Sequence, residues 1–341
     1  MKNLKYLLLI VAAVLLPLST HAQTSGYHLI DTIQVGGEGG WDGLVADPEN
    51  HHLYVSHSSK VIVIDTETDK VVGEIPNTKG IHCIVLAEKL GKGYTTNGGD
   101  NAVTVFDLKT LKVLGTVPTG KNPDATAYDS FTKHVFIFNG RDNSATVIDA
   151  ATDKVVGTID LGGKPEFGAS DGKGTVFVNL EDKSQVAVID ADKMTVKAKW
   201  PIAPGEGPSG LALDAKNMRL FLAAQKMMIV MDATNGKVLA NLPTGQGTDG
   251  MEFDPSLKYA FAPNGGDATL TIVHEDSKDK FSVVENVKTQ RGSRTMAIDT
   301  KSHKVYLPTA KFGETPAPTA AQPRPRAPMV PGSFMILVYG R

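Results

Sequence analysis

The chain holds a single cysteine, Cys83, among 341 residues. An intramolecular disulfide and a CxxC-type metal or redox site are both excluded, so stability rests on packing. Cys83 itself sits in the apolar stretch "IHCIVL", which is the setting of a buried, inert thiol. No segment shows an extended helical period, which argues against an α or α/β fold. There is no GxSxG nucleophile elbow, no CxxCH haem site and no HExxH pair. An excess of basic charge is also missing. Setting aside Lys2 and Lys5 of the leader described below leaves 33 basic residues against 37 acidic ones, a formal charge of −4. That balance disfavours a general nucleic-acid binder.

Long apolar runs are absent after the N-terminus. The opening "MKNLKYLLLIVAAVLLPLSTHAQ" has Lys2 and Lys5, an apolar run from Tyr6 to Leu18, then Thr20-His21-Ala22. This is the layout of a signal peptide, residues 1–22, cut after Ala22. The apolar run is shorter than the roughly 20 residues that a membrane span needs, and no cysteine marks a lipoprotein. The expectation is an exported, periplasmic or secreted protein whose mature part, 23–341, is one domain.

What is present is repetition. An apolar strand closing on an acidic residue recurs at Asp65, Asp107, Asp149, Asp190, Asp232 and Glu275, in steps of 42, 42, 41, 42 and 43 residues. Each unit contains four short strand signals separated by Gly, Asn, Asp or Pro, as in "DATAYD", "HVFIFN", "SATVID" and "KVVGTIDL". Four antiparallel strands in about 42 residues make one propeller blade. The final strand signal, "FMILVYG", matches the third strand of a blade, while "YHLIDTIQV" near the N-terminus matches a fourth. The expected fold is therefore all-β: a seven-bladed β-propeller of four-stranded antiparallel blades, with the N-terminal strand closing the last blade. Closure removes the open sheet edge.

The repeated "VxVID", "T.KVVGTI" and "GEGPSGLALD" (Gly205 to Asp214) resemble the bacterial YVTN-type, YncE-like propeller family over nearly the whole mature chain. The resemblance implies the propeller fold. It implies no particular ligand, because its residues make turns and fill cores.

Aligning the blades just before their first strands gives one column of chemical interest: Asp42, His82, Asp124, Glu166, Ser209, Asp249 and Arg294. These residues are expected to ring the mouth of the central channel. Trp41 lies beside Asp42, and His57 and Lys311 occupy loops expected on the same face, so all ten are candidate ligand-binding residues. Two readings stand for the ring. One is a solvated rim in which Arg294 neutralises its neighbours. The other is a divalent-metal site formed by Asp42, His82, Asp124 and Glu166, because clustered carboxylates favour a bound cation or raised pKa values. The mixed donors suit Zn, Mn or Fe better than Ca²⁺.

The "NGGDN", "NGRDN" and "PNGGDA" stretches at Asn97, Asn139 and Asn264 read as hairpin turns rather than Ca²⁺ loops, since the EF-hand spacing is missing. The last repeat is 22 residues longer than the others, and "GETPAPTAAQPRPRAPMVPG", Gly313 to Gly332, is that insertion. Its composition favours extended polyproline geometry. It is either a surface excursion or a lid or docking strip carrying Arg324 and Arg326. Two functions follow: a binding or scaffold protein using the mouth face for a small ligand or a protein partner, or a metal-dependent propeller hydrolase or lactonase. A monomer is expected.

Overall fold

A computed structural model describes residues 24–319 and 325–341. The leader, 1–22, and Arg324 fall outside the described residues. Seven four-stranded sheets form the structure. Blade 1 is Leu44–Asp47, His52–His57, Lys60–Asp65 and Lys70–Ile75, each strand pairing antiparallel with the next. The next five blades repeat that order. Blade 7 takes Ala297–Ile298, Val305–Thr309 and Met335–Gly340 from the end of the chain. Its fourth strand is His28–Gln34, which pairs antiparallel with Met335–Gly340. The expected closure is what the structure shows. The described residues contain no α-helix, only two single turns of 3₁₀ helix at Glu88–Leu90 and Glu181–Lys183. No described helix is long and apolar enough to cross a membrane.

The strand sequences follow from their positions. Second and third strands pack between neighbouring blades on both faces, so they read as unbroken apolar runs; Leu53, Val55, Val61 and Val63 are fully buried. Fourth strands form the outer rim and leave pairs such as Val71 and Val72 about half exposed. First strands of adjacent blades contact one another around the channel.

The acidic residue at the end of the third strand also has a structural cause. Asp65 Oδ1 accepts hydrogen bonds from the N–H groups of Glu67 (3.0 Å) and Thr68 (2.8 Å), and from the Thr68 hydroxyl (2.9 Å). Asp107 repeats this with Lys109 and Thr110. These turn bonds hold both carboxyls below the usual carboxylate range. Glu275, the sixth copy, is too long for that turn. It is buried, bonds the Asn217 amide at 3.1 Å, and is pushed up to about 7 by burial beside Asp214.

Candidate functional site

Each ring residue lies at the start of a first strand or within three residues before it, and hydrogen bonds between blades fix the backbone at Asp42, His82 and Asp124. The Thr295 hydroxyl donates to Asp42 O at 2.7 Å, Gly43 N–H to His82 O at 2.8 Å, and the Thr96 hydroxyl to Asp124 O at 2.5 Å. The loops between second and third strands press on the ring from outside. A Cβ added at Gly98 would lie 2.8 Å from His82 Nε2, and one at Gly265 would lie 2.9 Å from Arg294 Cβ. Only glycine permits that approach at these two points. The asparagines of these loops are structural: Asn97, Asn139 and Asn264 are buried and donate to Thr104, Thr146 and Thr271 of the next strand. This agrees with the turn reading.

The ring side chains form a chain of charge pairs. Arg294 Nε donates to Asp249 at 2.9 Å, and its Nη2 reaches Trp41 O at 3.0 Å and Asp42 Oδ1 at 3.4 Å. His82 Nδ1 lies 2.8 Å from Asp42 Oδ2 and 3.3 Å from Asp124 Oδ1. Ligand atoms of Asp42, His82 and Asp124 all fall within 4.8 Å of one another, and each residue is partly buried. Glu166 is not among them. Lys164 holds it at 2.6 Å and also grips Glu181 at 2.5 Å, so the structure assembles three of the four expected metal ligands. Ser209 donates to Thr248 O at 3.0 Å.

Burial pushes Asp124 up against the pull of His82, and pushes Asp249 up to about 6 with help from the charge of Asp42. Burial also drives Glu166 up to about 7 against Lys164. For His82, burial works downward, but the Asp42 hydrogen bond and the Asp124 charge prevail and raise it. This is the crowding expected where several carboxylates share a dry sector.

Next to the pairs opens a cavity of about 1090 Å³. Trp41 and Arg294 line it, with Arg291 from the same loop as Arg294, Phe312 just before the insertion, and Arg326 and Met329 from the insertion. The base of that insertion is not an irregular excursion. Phe312 and Met329 face each other in an antiparallel bridge, and Gly313 N–H donates to Pro328 O at 2.9 Å. Phe312 and Met329 pack against the core cluster that contains Trp41 and Phe334. The base of the insertion thus lies along the mouth as a short ribbon.

Two candidates sit elsewhere. His57 is the last residue of a buried strand, 2% exposed, stacked on Phe334 at 4.3 Å between ring centres. Burial lowers its pKa, and it borders a separate recess of about 330 Å³ beside Lys60. Lys311 is exposed at the foot of the ribbon, where its N–H donates to Ser333 Oγ at 3.0 Å; it does not line the mouth cavity.

Below the ring, a channel recess of about 300 Å³ includes Cys83 and Glu252 in its wall. Burial pushes the Cys83 thiol well above its usual value, consistent with an inert thiol, and drives Glu252 up to about 8. Sequence reasoning missed Glu252. Its signal was positional: at the matching place near the end of the first strand the other blades have Val45, Val85, Ala127, Ala169, Ala212 or Ala297. Arg291 was missed as well, although "QRGSR" places it three residues before Arg294.

No model of a known protein family matches this chain, nor does any curated protein sequence. Solved structures do match. A chain of Kuenenia stuttgartiensis hydrazine synthase is 18% identical, with a TM-score of 0.70 over 85% of this chain and 95% of that one. A chain of the mitotic checkpoint complex is 10% identical, with a TM-score of 0.71 over 100% of this chain and 99% of its own. The U3-55K structure is 10% identical, with a TM-score of 0.72 over 92% and 99%. At these identities the likeness shows the fold: a seven-bladed β-propeller. That fold is consistent with a binding or scaffold role.

Proposed function

We propose that the protein is an exported, YVTN-type propeller that binds a ligand at its mouth face, without catalysis. The observation that carries this is the cavity of about 1090 Å³ between the charged ring and the ribbon. It combines an apolar wall with a few convergent polar groups, which is the usual make-up of a ligand site. The leader sequence supports export, and the repeat motifs support the family. A thermal-shift screen over a chemically broad set of small molecules tests the reading. Ligands that stabilise the native protein should lose their effect when Phe312→Ala opens the cavity wall. If no compound stabilises a protein that melts cooperatively, the mouth is a wet rim and the reading is wrong.

A second reading is favoured by one specific observation: the convergence of Asp42, His82 and Asp124 within 4.8 Å. Two carboxylates and an imidazole are a reasonable donor set for Zn²⁺, Mn²⁺ or Fe²⁺. With a metal there, the mouth would have a Lewis acid able to polarise a carbonyl, as a hydrolase or lactonase requires. Elemental analysis of protein purified without chelators separates the two readings.

A further inference from the structure

We infer that the mouth cavity takes a small organic anion, one that carries a carboxylate, sulfonate or phosphate on an apolar body. This rests on the binding reading above and names the class of ligand. The cavity wall includes three arginines, Arg291, Arg294 and Arg326, and no aspartate or glutamate. That local balance runs against the acidic net charge of the chain. Arg294 is already neutralised by Asp249 and Asp42. Arg291 and Arg326 are exposed and make no ion pair with any described residue. They come from two separate segments, the loop entering blade 7 and the ribbon, yet both line one cavity. Two uncompensated guanidinium groups on a concave wall are a planar, multi-donor receptor for an oxyanion.

The remaining wall sets the rest of the molecule. Trp41, Phe312 and Met329 supply apolar and aromatic surface. Gly247 and Gly292, at φ of +77° and +90°, leave bare backbone there, so a flat body can approach closely. A volume of about 1090 Å³ suits one low-molecular-weight compound.

The test uses a matched pair of fluorescent probes on the full mature protein. 1-Anilinonaphthalene-8-sulfonate is the anion, and N-phenyl-1-naphthylamine is the same body without the charge. The sulfonate should bind the native protein at least about tenfold more tightly than the amine. The part of the tryptophan-to-probe energy transfer that Trp41→Phe removes, leaving only that from Trp200, places it beside Trp41. Arg291→Ala with Arg326→Ala should weaken sulfonate binding about tenfold or more and leave the amine unchanged, while the Arg→Lys pair recovers part of the loss. Both arginines are exposed, so the variants should melt like the native protein. If the two probes bind equally and both respond to Phe312→Ala, the cavity is a binding site but the anion inference fails. If neither binds, the anion inference fails, and the binding reading fails with it only when the broad screen also finds no stabilising compound.

Discussion

His82 Nδ1 sits between two carboxylates, 2.8 Å from Asp42 and 3.3 Å from Asp124. A protonated imidazole there bridges the pair, and a divalent cation within reach of the same three side chains would replace that proton. Metal uptake and His82 protonation therefore compete. His82→Ala with Asp124→Ala should abolish uptake of Zn²⁺ or Mn²⁺ and leave the blades folded, since neither side chain belongs to the apolar core. Native protein should gain melting temperature on adding metal, and the double variant should not. No metal by elemental analysis, together with no thermal shift, would sink the metal reading.

Gly98→Ala provides a subtler probe of the same cluster. The new methyl would meet the imidazole at 2.8 Å from Nε2, forcing the ring to move without removing a ligand. Metal affinity should fall by about tenfold or more, as it does when ligand orientation is disturbed. Isothermal titration compares it with the native protein. Unchanged affinity would mean that His82 is not held by this loop.

Glu252 should give the stability an inverted pH dependence. Its folded carboxyl titrates at about 8 and the ordinary value is 4.5. Between those values the folded state keeps a proton that the unfolded chain has released. Stability therefore falls as pH rises through that window and levels off above it. Glu252→Gln should remove this fall and gain about 1–3 kcal/mol above about pH 8. Glu166 and Asp249 act in the same direction, so a smaller slope should persist. Melting curves from about pH 5 to about pH 9 check it; a variant no more stable than the native protein at the alkaline end refutes it.

Deleting residues 27–35 should cost far more than any point change. It removes the whole fourth strand of blade 7 and exposes the Met335–Gly340 edge, with its unpaired backbone groups. Loss of soluble, cooperatively folding protein is expected. A truncated protein with native melting behaviour would show that the ring holds without this strand.

Replacing residues 315–326 by a short Gly-Ser turn should spare the fold, because the Phe312–Met329 bridge and the flanking strands are kept. Binding of an anionic probe should weaken, since Arg326 is lost. Circular dichroism and a probe titration separate the two effects; unfolding would mean that the distal ribbon is a packed element.

The blades were legible because each carries its own turn chemistry, with Asp65 and Asp107 marking where third strands end. The ring was legible because it occupies one column of the repeat. Partnering was legible only where both members belong to that column, as Arg294 and Asp249 do; Lys164, outside it, takes Glu166 away from the cluster. His57 looked like a loop residue. Aligned by strand, it matches Asn97, Asn139 and Asn264, all buried at the end of a second strand, so its position argued for burial from the start. The insertion misled because its proline content says nothing of Phe312 and Met329, which decide where its base packs.

The closing ladder also sets how the molecule answers to force. His28 pairs with Gly340, and Gln34 with Met335, so the outer ends of both strands leave from the same place. Tension applied through the two ends of the chain meets one pair at a time, starting at His28 and Gly340, instead of loading all the rungs together. Under a pull of that kind blade 7 opens like a zipper, one rung after another from the His28–Gly340 end towards Gln34 and Met335.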